Sequence, residues 1–193
     1  MNGQYFSNAG VFLASTLFGL YILAVMLRFL LQTVRADFYN PLVQVLVKIT
    51  DPLLVPLRRL IPGMFGLDMA AVALLLVLQA VELMLIAFLL GGSLPPATLL
   101  IGSIAKLLGL IVTIYFWIIL IQVVLSWVAP TTYNPAVAAI NSLTEPLLRP
   151  VRRALPDLGG MDLSPLLVVV ALQLVKMLVV WPLRDLSGLP TGF

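Results

Sequence analysis

The stretch TDPLLVPLRRLIP (residues 50–62) returns 94 residues later as TEPLLRPVRRALP (residues 144–156). The likeness extends further on both sides, because residues 39–71 align without a gap on residues 133–165, with 14 of 33 positions identical. Most of the identical positions hold Pro, Arg, Gly, Asp, Asn or Thr, whereas chance likeness between membrane proteins concentrates in apolar residues. Such self-similarity at one fixed offset indicates an internal repeat. We therefore predict one unit used twice, in residues 1–94 and 95–193.

The composition points to a membrane protein without catalytic chemistry. Hydrophobic residues make up 62% of the chain and charged residues 10%, against roughly 45–50% and 25% in soluble domains. Cysteine and histidine are absent, which excludes disulfides, Cys/His metal or haem ligation, thiol nucleophiles and imidazole bases. The net charge of +3 is carried by dispersed basic residues, which gives little support to nucleic-acid binding. We expect no enzymatic activity, no metal and no cofactor.

Four apolar stretches are each long enough to cross a bilayer, for which a helix needs about 20 residues. They cover approximately residues 10–34, 69–90, 98–128 and 164–183. Each repeat then consists of a span, a polar loop and a second span, so both repeats insert in the same orientation and are related by an axis along the membrane normal. The expected fold is an all-α membrane protein with four transmembrane helices from two parallel repeats, each with a cytoplasmic, interfacial amphipathic segment.

The distribution of basic residues predicts the orientation. Seven basic residues lie in the two repeated loops, namely Arg35, Lys48, Arg58, Arg59, Arg149, Arg152 and Arg153. The opposite side carries almost none, apart from Arg184 in the C-terminal tail. Because cytoplasmic loops carry the excess of Lys and Arg, we expect both loops in the cytoplasm and both termini outside.

Each loop contains signals for short helices and for a turn. An Asn-Pro pair is a typical N-cap and first helical residue, and the later Asp-Pro or Glu-Pro pair repeats this signal. It predicts a second short helix that ends at Pro62 or Pro156. A Gly-x-Asp sequence is expected to turn the chain back into the membrane. The motif residues are Asn40, Pro41, Asp51, Pro52, Gly66 and Asp68 in the first repeat, and Asn134, Pro135, Glu145, Pro146, Gly160 and Asp162 in the second.

The paired arginines of the loops are candidates for contact with lipid or a partner. A helix this apolar outside a span lies in the membrane interface, which places Arg58, Arg59, Arg152 and Arg153 near anionic head groups. The alternative is that they only fix the topology and extend to the head groups.

Charges inside the spans suggest an intramembrane ion pair. Each such charge costs at least about 2.5–3.5 kcal/mol near the bilayer centre. Glu82 and Lys176 occupy equivalent positions in the two repeats, and each follows a glutamine three residues earlier. We predict that these two charges face each other across the repeat interface; the alternative is that each extends outward separately. Arg28 and Lys106 lie closer to the span ends, so extension toward the head groups accounts for them.

The loop residues resemble those of the YggT family of small integral membrane proteins. The shared pattern is Thr-Asp-Pro-Leu-Leu-x-Pro-Leu-Arg-Arg-x-Ile-Pro followed by Gly-x-Asp, and because both copies fit it, the resemblance covers nearly the whole chain. Family members are associated with osmotic stress tolerance, with cell-division gene neighbourhoods and, in plastids, with haem attachment to a b-type cytochrome. The resemblance implies a multi-pass protein of the bacterial inner membrane, and it implies no catalytic residue. Without histidine or cysteine, this chain would serve cofactor assembly only as a scaffold.

Two functions of different classes are consistent with the sequence. The first is a non-enzymatic membrane scaffold, or an assembly or stress-adaptation factor, whose basic loops contact anionic lipid, a membrane protein or a second copy of the chain. The second is a small oligomeric permeation module for ions or solutes in osmotic adaptation. The few polar residues inside the spans would make a thin pathway through one protomer, which favours the scaffold.

Overall fold

The computed structural model describes residues 2–64, 66–128, 134–155 and 162–189. Seven α-helices and one π-helical turn lie in these ranges: α1 (Asn2–Thr33), α2 (Pro41–Leu60), α3 (Met69–Leu89), α4 (Pro96–Val128), α5 (Pro135–Ala154), α6 (Ser164–Val175), the π-helical turn (Lys176–Val180) and α7 (Trp181–Ser187).

Among the described residues, four helical segments are long and apolar enough to cross a membrane. They are Tyr5–Thr33, Met69–Leu89, Pro96–Ser126 and Ser164–Ser187, the last formed by α6, the π-helical turn and α7 together. The predicted all-α fold with four spans is therefore confirmed. The two repeats also agree helix for helix, because α4 and α5 begin 94 residues after α1 and α2.

The described residues of each loop between the spans form one continuous helix, and the predicted second helix start at Asp51-Pro52 and Glu145-Pro146 is wrong. Helix α2 continues through Pro52 and Pro56, and α5 through Pro146 and Pro150. A proline inside a helix removes one backbone hydrogen bond. Here all four prolines are exposed, so the carbonyl groups that they leave unpaired lie near the surface and the helix continues.

The end of α2 follows the predicted stop signal. Ile61, which precedes Pro62, is extended with φ −117° and ψ 104°, because a following proline disfavours the helical conformation. Pro156 in the second repeat lies outside the described residues.

The last span contains the π-helical turn directly before Pro182. The N–H group of Trp181 donates to the carbonyl oxygen of Lys176, five residues earlier. Since Pro182 has no N–H group and its ring crowds the preceding turn, the wider turn accommodates it. The equivalent part of α3 holds no proline and is regular.

The spans pack in chain order rather than around a central axis. Helix α1 packs against α3, α3 against α4, and α4 against the fourth span, while α2 and α5 each pack on both spans of their own repeat. Helix α5 also touches α1 and α2. The main core lies where α1, α2 and α3 meet and includes the fully buried Val25, Met26 and Leu54. This arrangement puts α2 and α5 on the same side of the bundle, here called the loop side.

Candidate functional site

The first arginine of the Arg-Arg pair in α2 binds the aspartate that starts α3. The Nε and Nη2 atoms of Arg58 both donate to Oδ2 of Asp68, and Nη2 also donates to the Gln32 side chain at 3.0 Å. Asp68 is buried and caps α3, because its Oδ1 accepts a hydrogen bond from the N–H group of Ala71. Gly66, with φ +78°, makes the turn that brings Asp68 back toward α2. Arg58 therefore fixes the loop helix to the next span.

The second repeat contains the same contact in a more exposed form. The Nε and Nη2 atoms of Arg152 lie 2.9 Å from Oδ2 of Asp162, and its Nη1 lies 3.6 Å from Glu145. Partial burial opposes the ionisation of Asp162. Hydrogen bonds from the Ser164 hydroxyl and backbone N–H, with the charge of Arg152, outweigh that effect and lower the pKa of Asp162. Gly160 lies outside the described residues.

The second arginine of each pair has a different environment. Arg59 and Arg153 are exposed and form no ion pair with a described residue. Of the four arginines that the sequence presents as equivalent candidates, only these two leave the whole guanidinium group available to lipid or a partner. Arg58 and Arg152 use most of their donors inside the protein.

Arg28, expected to extend to the head groups, is instead buried between α1 and α2. Its Nη1 atom lies 2.7 Å from Asp51, 2.6 Å from the Thr50 hydroxyl and 3.2 Å from the Val47 carbonyl oxygen. Asp51 therefore lies inside α2 as an ion-pair partner and not at a helix start. A buried arginine needs such partners, because an unpaired charge in the interior is costly.

The intramembrane charge of Glu82 is paired with a different lysine from the one that the sequence predicts. Glu82 lies 3.4 Å from Nζ of Lys106 in α4 and accepts a hydrogen bond from the Gln79 amide. Lys176 lies at the start of the π-helical turn and forms no ion pair with a described residue. The reason is packing: in the described residues both α3 and the fourth span pack against α4, whereas α3 makes no comparable contact with the fourth span. Helix α4 thus separates Glu82 from Lys176.

Two asparagines cap the loop helices, and one of them also joins the repeats. Oδ1 of Asn40 accepts from the N–H group of Leu42, and Oδ1 of Asn134 accepts from Ala136, both at 2.9 Å. The Nδ2 atom of Asn40 donates to the carbonyl oxygen of Pro135 at 2.7 Å, which ties the start of α2 to the start of α5. The offset of 94 residues between the repeats does not predict this contact, because it relates equivalent positions and not neighbouring ones.

The described residues contain no group of His, Cys, Asp or Glu that could hold a metal ion. The polar contacts described above are ion pairs and helix caps, and Arg59 and Arg153 are exposed.

Comparison with known proteins agrees with the repeats. The sequence profile of the CCB3/YggT family matches the chain twice, at residues 7–89 and 101–183. The chain is 47% identical over 188 residues to an uncharacterized protein of Pseudomonas aeruginosa, covering 95% of this chain and 94% of that protein. It is 43% identical over 176 residues to an uncharacterized protein of Vibrio alginolyticus (89% and 93% covered). It is 36% identical over 170 residues to the uncharacterized YggT of Escherichia coli K12, with 88% of both chains covered. No solved structure matches the chain. The chain belongs to the CCB3/YggT family.

Proposed function

We propose that this protein is a non-enzymatic membrane scaffold that uses its loop side to contact anionic lipid or a membrane partner. On this proposal it acts as an assembly or stress-adaptation factor in the bacterial inner membrane.

The loop side faces the cytoplasm, because the excess of basic residues there follows the positive-inside rule. A cysteine in place of Arg59, in a chain that has none, tests this orientation: an impermeant thiol reagent should label it in inverted vesicles and not in intact cells.

The observation that carries the proposal is an exposed apolar stripe along α2, outside the spans. Its residues recur every three, four or seven positions and so lie on one side of the helix: Leu42, Val45, Ile49, Leu53 and Leu60, all exposed. The other faces of α2 bury Val43 and Leu54 in the core and expose Lys48 and Arg59. A helix with one apolar side and one basic side is typical of segments that lie in the membrane interface.

The second repeat differs at the equivalent stripe. Ala139 and Leu143, which lie 94 residues after Val45 and Ile49, are buried in the main core against the first repeat. Helix α5 therefore uses this face for contact between the repeats, whereas α2 leaves its own face open. The contact surface of the proposed scaffold consists of the stripe on α2 with the exposed Arg59 and Arg153.

Replacement of Arg59 and Arg153 by Gln should weaken retention of anionic lipid. Each basic residue near an anionic surface contributes about 1 kcal/mol, so the double variant should bind phosphatidylglycerol roughly tenfold or more weakly. Retention is measured by counting lipid molecules on the purified protein after transfer from phosphatidylglycerol to phosphatidylcholine bilayers. Arg184→Gln, which removes a charge from the opposite end of the bundle, is the control. Unchanged retention in the double variant would contradict the proposed lipid contact.

One observation favours a permeation module as the second candidate. Gln79, Glu82 and Lys106 line a cavity of about 270 Å³ within the spans, and the buried hydroxyl of Ser103, one turn before Lys106, has no hydrogen-bond partner among the described residues. Selective ion flux through liposomes that contain the purified protein, lost in Glu82→Gln, would support this candidate. The scaffold hypothesis predicts no selective flux through either the original protein or Glu82→Gln.

A further inference from the structure

A cavity of about 380 Å³ opens between α1 and α2 on the loop side, and three arginines line it. They are Arg28 from α1, Arg35 from the connection and Arg58 from α2, and the apolar part of the wall includes Leu31 and Phe38. We propose that this cavity binds one phosphate group, supplied either by the head group of an anionic phospholipid or by free phosphate.

The first argument is the incomplete pairing of Arg28. All three of its contacts, to Val47, Thr50 and Asp51, are made by Nη1. Its Nε and Nη2 atoms have no partner among the described residues, although the residue is only 6% exposed. Neither atom is among the fully buried, unpaired side-chain atoms of the described residues, so both are accessible from the cavity, where a ligand can complete their hydrogen bonds. The two free donors of a planar guanidinium group fit two oxygens of a phosphate.

The other two arginines add donors and charge. Nη1 of Arg58 has no partner among the described residues, because Asp68 and Gln32 take only Nε and Nη2. Arg35 is exposed and forms no ion pair with a described residue. Asp51 and Asp68 neutralise two of the three arginines, which leaves one positive charge at the cavity. That balance matches a phosphodiester, which carries one negative charge.

The conformation of Arg35 is also unusual. Its φ is +55°, and it is the only non-glycine residue with positive φ in the described part of the chain. It ends α1 in a Schellman motif, with hydrogen bonds from Arg35 N–H to Gln32 and from Ala36 N–H to Leu31. Glycine is the usual residue there. An arginine in this backbone conformation is strained, and such strain is concentrated at functional sites. The conformation of Arg35 therefore supports a functional role for this position.

The second repeat shows that the fold does not require Arg28 and Arg35. The positions 94 residues after Arg28 and Arg35 hold Gln122 and Ala129. The amide of Gln122 makes a neutral hydrogen bond to Asn141 at 3.1 Å, in the place that the charged cluster of Arg28 occupies in the first repeat. Since a neutral glutamine occupies the equivalent position, a ligand explains Arg28 and Arg35 better than packing does. Arg58 has an equivalent in Arg152 and contributes to the cavity in addition to its contact with Asp68.

The test uses the full chain in phosphatidylcholine nanodiscs with short-chain phosphatidylglycerol as the probe. Arg35→Gly removes one guanidinium group and suits the left-handed backbone, so the variant should fold at least as well as the original protein. Loss of charge-assisted hydrogen bonds should weaken probe binding about tenfold. Arg149→Gln, an exposed arginine of α5 outside the cavity, is the matched control and should bind as the original protein does. Binding is measured by the probe-dependent rise in the unfolding midpoint.

Competition with inorganic phosphate identifies the source of the ligand. Displacement of the probe by millimolar phosphate indicates a site for free phosphate, and failure to displace it indicates a lipid head group; both support a phosphate site. Equal binding by Arg35→Gly and the original protein, or equal losses in Arg35→Gly and Arg149→Gln, would overturn it. If the ligand is a lipid head group, the inference rests on the proposed function. The cavity and the proposed lipid contact of the loop side are tested separately, because the double variant Arg59→Gln with Arg153→Gln should reduce bulk lipid retention and leave the cavity occupied.

Discussion

Glu82→Lys is expected to destabilise this protein more than any other single charge change. Glu82 is buried, accepts a hydrogen bond from Gln79 and lies 3.4 Å from the ammonium group of Lys106. The substitution places two positive charges side by side inside the spans. Breaking a buried pair typically costs about 3–5 kcal/mol, and partial exposure of Lys106 puts the expected loss at about 3 kcal/mol. The fall in the unfolding midpoint in nanodiscs measures it.

Charge swaps identify the partner of Glu82. Adding Lys106→Glu to Glu82→Lys should restore much of the lost stability, because the pair is re-formed with its charges exchanged. Adding Lys176→Glu should restore little, and Lys176→Gln alone should change the free energy of unfolding by less than about 0.5 kcal/mol. Rescue by the change at position 176 and not at position 106 would show that the two repeats meet differently from the structure described above.

This pair also shows where prediction from the sequence stops. The offset of 94 residues relates equivalent positions and correctly predicts two similar repeats with four spans. It does not predict which helices are in contact. The length of the connections does, because a short connection makes consecutive helices antiparallel neighbours. Only six residues separate α3 from α4. Residues at similar distances from that connection, such as Glu82 and Lys106, then meet.

The arginine motif illustrates a second limit. Arg58 and Asp68 are ten residues apart, as are Arg152 and Asp162, so the repeated spacing was a signal for pairing that analysis of the charge alone missed. The roles of Arg28 and Arg35 had no such signal, because their equivalents are Gln122 and Ala129. The offset reveals what the repeats share. The features that distinguish the first repeat, including its arginine-lined cavity, become visible only when α1 and α2 are packed together.

Asp68→Ala should have the second large effect, because one side chain both caps α3 and neutralises Arg58. Loss of an N-cap costs about 1 kcal/mol, and leaving a half-buried arginine without its carboxylate adds a similar amount, for a total of about 2 kcal/mol. Asp68→Asn separates the two contributions, since the amide oxygen can still accept from the Ala71 N–H while the charge is lost. Its cost should be intermediate. The free energy of unfolding of the original protein, Asp68→Ala and Asp68→Asn is measured by thermal or denaturant unfolding in nanodiscs.

The second repeat provides the matched control for this prediction. Asp162 makes the equivalent contact to Arg152, but the two side chains are 41% and 47% exposed, against 6% for Asp68 and 35% for Arg58. Exposed ion pairs contribute roughly 0.2–1 kcal/mol, so Asp162→Ala should cost clearly less than Asp68→Ala. Equal losses of stability in Asp68→Ala and Asp162→Ala would mean that burial does not determine how much the Arg–Asp ion pair stabilises the protein. The connection between each loop helix and its next span would then depend on the hydrogen bonds at the start of the span, and not on the arginine.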